Sequence, residues 1–307
     1  KTLHALNVDG YNSALCAILK YSTDANVRSA VLKALGNLSF TEMESAMTAG
    51  MTDASAKVRG SASGLLTKLD LPKEKLPAIV EPIFKNGSTG EQQRMLSVLG
   101  DLSEEKSGAI LRSLIQKVTK NGIQQGVILD LMEAVKATKN PELIAELGQL
   151  KQSGYTSESY QETLFGGNRW RGRDVFNNNP TAQCVRCHAV NGAGGEVGPA
   201  LDNTANILTR EQILESLIEP SARLAPGYGS VTLTLKDGQI VNGVLIEENE
   251  DEILLRTSEA EPMEVPLKRI KKRENSISSM PPMGRMISKR ELRDLVEYLG
   301  GLKKEGV

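Results

Sequence analysis

Cys184-Val185-Arg186-Cys187-His188 is the stretch on which the reading of this chain turns. Two cysteines three positions apart can each form a thioether to one vinyl group of the same porphyrin, and the histidine that follows at once is then placed beneath the iron. Two other chemistries use similar residues. A structural zinc site wants four Cys or His ligands. The chain holds only three Cys and two His, and the remaining pair, Cys16 and His4, lies at its far end. A thioredoxin-like dithiol sits at the start of a helix inside a βαβ unit, whereas Asn177 to Asn179 and Pro180, just before Cys184, follow no strand pattern. The pentapeptide reads as a covalent haem attachment site.

Its flanks suit that reading. Trp170 to Phe176 forms a short helical pattern in which Gly172 permits close contact with another helix. After the pentapeptide come Gly192, Gly194 and Gly195, then Gly198-Pro199-Ala200-Leu201. Ser288 to Leu299 predicts a capped amphipathic helix, with Ser288 as cap, Glu291 three residues on, and Leu292, Leu295, Val296 and Leu299 as the apolar face. With two histidines in the chain, a second histidine on the iron would have to be His4. Methionine, lysine or an open position remain. Met280, Met283 and Met286 cluster before the last helix, and a soft, neutral thioether favours the ferrous state and suits electron transfer. The same methionines also serve as ordinary core residues.

Between Tyr228 and Asn275 the pattern changes period. Ser230 to Leu235 alternates, Asp237-Gly238 is a hairpin signal, Gln239 to Ile246 alternates again, and Ile253 to Arg256 and Met263 to Leu267 add two short strands. A four- or five-strand antiparallel insertion is expected at about 228–275. It carries five carboxylates in Glu247 to Glu252 and five cations in Lys268 to Arg273. Such runs either steer a partner or keep edges and turns solvated.

Upstream, residues 2–150 read as helix after helix. Val27, Ala30, Val31, Ala34, Leu35 and Leu38 recur at helical spacing, as do Val58, Ala62, Leu65, Leu66 and Leu69, with breaks at Leu71-Pro72, Asn86-Gly87 and Asn140-Pro141. STDANVRSAVLKAL and TDASAKVRGSASGLL both place a capping Asp ahead of Val-Arg. The expected organisation is a helical-repeat domain at 1–150, a polar linker at 151–167 and a haem domain at 168–307. A non-repetitive helical bundle is the alternative for the first part.

Composition narrows the partners. The 307 residues carry 37 Lys plus Arg against 38 Asp plus Glu, a net charge near −1, which argues against nucleic acid as the main ligand. No apolar run reaches the roughly 18 residues of a membrane span. The chain opens inside an apolar helical pattern without the layout of an export signal, as expected of a piece cut from something longer. Cys16, on a face with Leu15, Ile18 and Leu19, is expected to be a buried thiol.

The Val-Arg echo resembles HEAT repeats, in which an Asp caps a helix and an Arg ties neighbouring repeats. The order helix with Gly and Phe, CxxCH, Gly-Pro-x-Leu, Met-Pro and a final helix ending Tyr-Leu resembles class I cytochrome c. The resemblance implies that Pro199 orients His188, that Gly172 lies against Tyr298, and that Met280 is the distal iron ligand, with Met283 as the alternative. A narrower similarity is to the haem-binding domain of planctomycete and verrucomicrobial proteins. It rests on Glu219-Pro220-Ser221, Gly227-Tyr228, Asp237-Gly238 with Gly243, Ser279-Met280-Pro281, and Leu295, Tyr298 and Leu299. In that family such domains close large secreted dehydrogenase-like proteins, after a β-propeller and a HEAT-like region.

The expected fold is therefore mainly α, a HEAT-like α-solenoid followed by an all-α cytochrome c fold with a small antiparallel β insertion. The implied function is electron transfer through one covalent haem c, with a dehydrogenase domain or another cytochrome as redox partner, outside the cytoplasm in the periplasm. The chain is expected not to be an enzyme on its own. A haem enzyme or gas or redox sensor with an open sixth position is the rival.

Overall fold

The computed structural model describes residues 11–36, 40–120, 122–153, 160–259 and 261–303. The chain divides into two compact units, Lys1–Ser159 and Tyr160–Val307, and is mainly helical. His4 and Leu38 lie outside the described residues.

The first unit contains α1 (Tyr11–Tyr21), α2 (Ala25–Leu35), α3 (Phe40–Met51), α4 (Ala56–Ser63), α5 (Leu76–Asn86), α6 (Thr89–Asp101), α7 (Glu104–Thr119), α8 (Ile128–Ala137) and α9 (Pro141–Glu146). The breaks fall where Pro, Gly and Asn stop a helix, and Asn140 caps α9 by accepting from the Glu142 and Leu143 amides. Helices pack on the next but one in two rows, α2-α4-α6-α8 and α1-α3-α5-α7-α9. One core runs between the rows from Leu19 to Leu150. Hydrogen bonds across successive helix pairs keep a nearly constant separation: Ser29 with Ser61 and Arg59 with Glu91 are 32 residues apart, Gln93 with Gly126 33, and Arg112 with Glu146 34.

Arginine ties these pairs. Arg28 gives a bidentate contact to Asp53 at 2.7 and 2.9 Å and also donates to Ser22 O. Arg59 does the same to Glu91 at 2.6 and 3.0 Å while holding Asp53 O and Ala54 O. Three details differ from the sequence reading. Asp24 caps α2, but Asp53 does not cap α4: Ser55 stands at the cap, four residues before Arg59 as Asp24 is before Arg28. Asp53 instead accepts from Ser55 N and from Arg28. Val27 and Ala30 face solvent rather than the core, and Cys16 is half-buried.

The second unit begins earlier than its composition suggested. Residues 160–167, read as linker, are folded into it: Glu162, Thr163 and Leu164 are buried, Tyr160 Oη donates to Gly284 O, and Lys289 pairs with Glu162. Polar composition concealed this, because the buried Glu162 and Thr163 side chains take specific partners, Lys289 and Tyr160 O. Then follow α10 (Arg169–Asn178), a short hairpin of β1 (Ala189–Val190) and β2 (Ala193–Gly194), α11 (Thr204–Ile207), α12 (Arg210–Ile218) and, at the end, α13 (Lys289–Leu299). Ser288 and Glu291 close a reciprocal cap on α13. Helices α10 and α13 pack face to face, with Phe176 and Tyr298 rings 5.7 Å apart. Gly172 makes this approach possible: a Cβ there would lie 1.9 Å from Asp294 O and 2.7 Å from Tyr298 Cβ.

Between α12 and α13 lie β3 (Ser230–Leu235), β4 (Ile240–Glu248), β5 (Glu252–Arg256), β6 (Met263–Pro266) and β7 (Ile270–Asn275). They form one antiparallel sheet in the order β6-β5-β4-β3-β7, with a core of its own from alternate residues such as Val231, Leu233, Val241, Ile253 and Leu255. Strand β7 has no counterpart in the strands read from the sequence. Its run IKKREN holds one apolar residue, so hydrophobic alternation is silent. As an edge strand it needs only its ladder to β3, and its lysines are the charge that keeps an exposed edge from pairing further.

Candidate haem site

The pentapeptide is a single tight turn. Cys184–Arg186 forms a 3-10 helix, and Cys187 N and His188 N both donate to Cys184 O, at 3.1 and 2.9 Å. The glycine-rich loop laces back along it. Gly195 N donates to Val185 O, Gly198 N to Cys187 O, and Leu201 N to Ala189 O, at 2.8, 2.8 and 2.9 Å. Pro199 is thereby brought to His188, whose Nδ1 lies 2.8 Å from Pro199 O. A carbonyl only accepts, so Nδ1 carries the proton and the Nε2 lone pair is the one left to bind. Gly198 makes room for the ring, since a Cβ there would lie 2.5 Å from His188 Cε1.

The cysteines are unpaired, Cys184 half-buried and Cys187 exposed. Burial pushes the Cys184 thiol up to about 11, the opposite of the lowered value a redox dithiol needs. The element before this turn is helix α10, not a strand. Among the described residues, no group of three or more His, Cys, Asp or Glu is arranged to hold a metal ion, so the zinc alternative gains no ligand set there. A pair of free thiols three apart on one turn, with a histidine fixed in the tautomer that exposes Nε2, fits a covalently tethered haem.

The three methionines part company. Met283 is 2% exposed and belongs to the core of α12, α13 and their neighbours, whereas Met286 is 37% exposed. Met280 is half-buried and packs against that same core, as do Cys184, Val185, Leu201 and Leu208. Several residues around this loop were not singled out from the sequence: Tyr160, Asn275 and Ser278, with Ser221 noted only as part of a motif. Polar side chains that bond single backbone carbonyls, as Tyr160 and Asn275 do, or single backbone amides, as Ser221 and Ser278 do, leave no periodicity to read.

Residues 170–236 match the family model described as Cytochrome c. The match covers α10, the pentapeptide, the Gly-Pro loop and the first strand of the sheet, and ends before the methionines. It supports a cytochrome c segment that binds haem c covalently and transfers electrons through it. No curated protein matches the chain.

Proposed function

We propose that the second unit is a mono-haem electron carrier in which Cys184 and Cys187 would tether the porphyrin and His188, through Nε2, and the Met280 sulfur would hold the iron. The observation that carries this is the His188 Nδ1 to Pro199 O contact within a Cys-x-x-Cys-His turn. It holds the ring in one tautomer and one orientation before any ligand is present. Haem, when bound, supplies a one-electron ferric/ferrous couple. The chain's share is to keep the imidazole fixed, to offer a neutral sulfur that favours the reduced state, and to exclude water with the apolar side chains of Val185, Leu201 and Leu208. The burial of Met283 in the core and the exposure of Met286 favour Met280 as the sulfur ligand.

The resemblance to the planctomycete and verrucomicrobial haem-binding domain extends this reading. The two helix rows and the separations of 32 to 34 residues in their cross-contacts support a HEAT-like solenoid. It serves as scaffold for an electron carrier that accepts electrons from a dehydrogenase, fused or separate, and hands them to another cytochrome. Haem is attached to CxxCH outside the cytoplasm, which supports a periplasmic location. The test is the ferric absorption spectrum of matured protein beside that of Met280→Ala. Loss of the weak long-wavelength band of a sulfur–iron bond in the variant is the expected result. High-spin ferric features in the unsubstituted protein would instead favour an open sixth position and a sensor or enzyme.

A further inference from the structure

The β insertion ends five residues before Met280, and the chain between them is pinned at Asn275, Ser276 and Ser278. Asn275, the last residue of β7, donates through Nδ2 to Ser221 O and Ala222 O at 3.0 and 2.9 Å. Its amide cannot be flipped, because Arg273 Nε donates to Asn275 Oδ1 at 2.8 Å, and Arg273 is in turn anchored to Glu248 on β4 at 2.7 Å. One residue on, Ser276 exchanges hydrogen bonds with Ser230 at the start of β3. Ser278 N then donates to Ser221 Oγ at 3.0 Å, and Ser278 Oγ accepts from Met280 N at 3.2 Å. Beyond the methionine, Tyr160 Oη holds Gly284 O at 2.8 Å.

We infer that Ser221, Asn275 and Ser278 are positioning residues for Met280, and that the five-stranded insertion is the frame that fixes the sulfur-bearing loop on the segment after α12. Each of the three acts through the backbone that presents the thioether. The sheet supplies what a free loop lacks. Both ends of β3, β4 and β7 are fixed by the ladder, so the direction in which the chain leaves Asn275 is set by the sheet. The inference rests on Met280 being the distal ligand.

The experiment uses full-length matured protein and imidazole as a competing iron ligand, titrated into the ferric form and followed by absorption. Ser221→Ala/Ser278→Ala removes two neutral hydrogen bonds on the loop, so imidazole should bind roughly tenfold more tightly than to the unsubstituted protein. Asn275→Asp, which keeps shape but loses both donated bonds, should move the same way. Ser221→Thr/Ser278→Thr, which keeps both hydroxyls, should restore the original affinity. A purely structural role would not give hydroxyl-specific rescue of a ligand-exchange constant. Unchanged imidazole affinity in both clamp variants, while Met280→Ala abolishes the long-wavelength band, overturns the positioning role alone. Persistence of that band in Met280→Ala overturns the ligand assignment on which the role rests.

Discussion

Gly198 and Gly172 each leave a gap that another group fills, and each can be tested by adding one methyl. Gly198→Ala would put a carbon 2.5 Å from the His188 ring and push it off Pro199 O. The expected cost is about 1–3 kcal/mol in holoprotein stability, with a reduction potential displaced from that of the unsubstituted protein, read by redox titration. Gly172→Ala meets backbone rather than a flexible tip, so α10 and α13 must separate. It should destabilise the second unit by about 3 kcal/mol in thermal unfolding. At this scale the Cys184-x-x-Cys187-His188 turn was legible. Covalent geometry dictates the spacing of Cys184, Cys187 and His188, and a spacing survives in the sequence. Tyr160, which donates to the distant Gly284 O, and Ser278, whose hydroxyl accepts from the Met280 amide, were not legible, because single hydrogen bonds of this kind impose no pattern on neighbouring positions.

Among the elements, helices α4 and α6 are joined by the Arg59–Glu91 pair, in which Glu91 also accepts from Ser88 at the start of α6. The Arg59 guanidinium holds the Glu91 carboxyl at about 2, well below the ordinary carboxylate range. A carboxyl whose folded value lies below its unfolded one stabilises fully above the unfolded value. That contribution is lost as pH falls through the folded value, here between roughly pH 4.5 and 2. Glu91→Gln should therefore cost about 2 kcal/mol at neutral pH and close to nothing near pH 2, measured as the difference between denaturant curves across that range. The helices themselves were readable from apolar spacing and from Pro, Gly and Asn breaks. Which side chain caps and which bridges was not: Asp53 looks like a cap in sequence and serves Arg28 in the fold. Strand β7 was hidden for the opposite reason, since an edge strand can be wholly polar.

At the scale of the molecule, the described residues hold separate cores, one in the helical rows and two in the second unit, one for the helices and one for the sheet. Substitutions in separate cores with no shared partner add. Glu91→Gln and Gly198→Ala combined should give the sum of their separate stability losses within about 0.5 kcal/mol, checked by unfolding followed at both far-ultraviolet and haem wavelengths. The change of character near the middle of the chain was visible in composition. Its position was not, because residues 160–167 look like a linker yet carry buried Glu162 and Leu164. Whether an iron porphyrin is bonded to Cys184 and Cys187 and capped by the Met280 sulfur is read from one sample: the mass and ferric spectrum of protein matured in a host that attaches haem c. One added macrocycle and a low-spin spectrum with a sulfur–iron band that disappears in Met280→Ala is the expected result. A colourless protein of unmodified mass would contradict it.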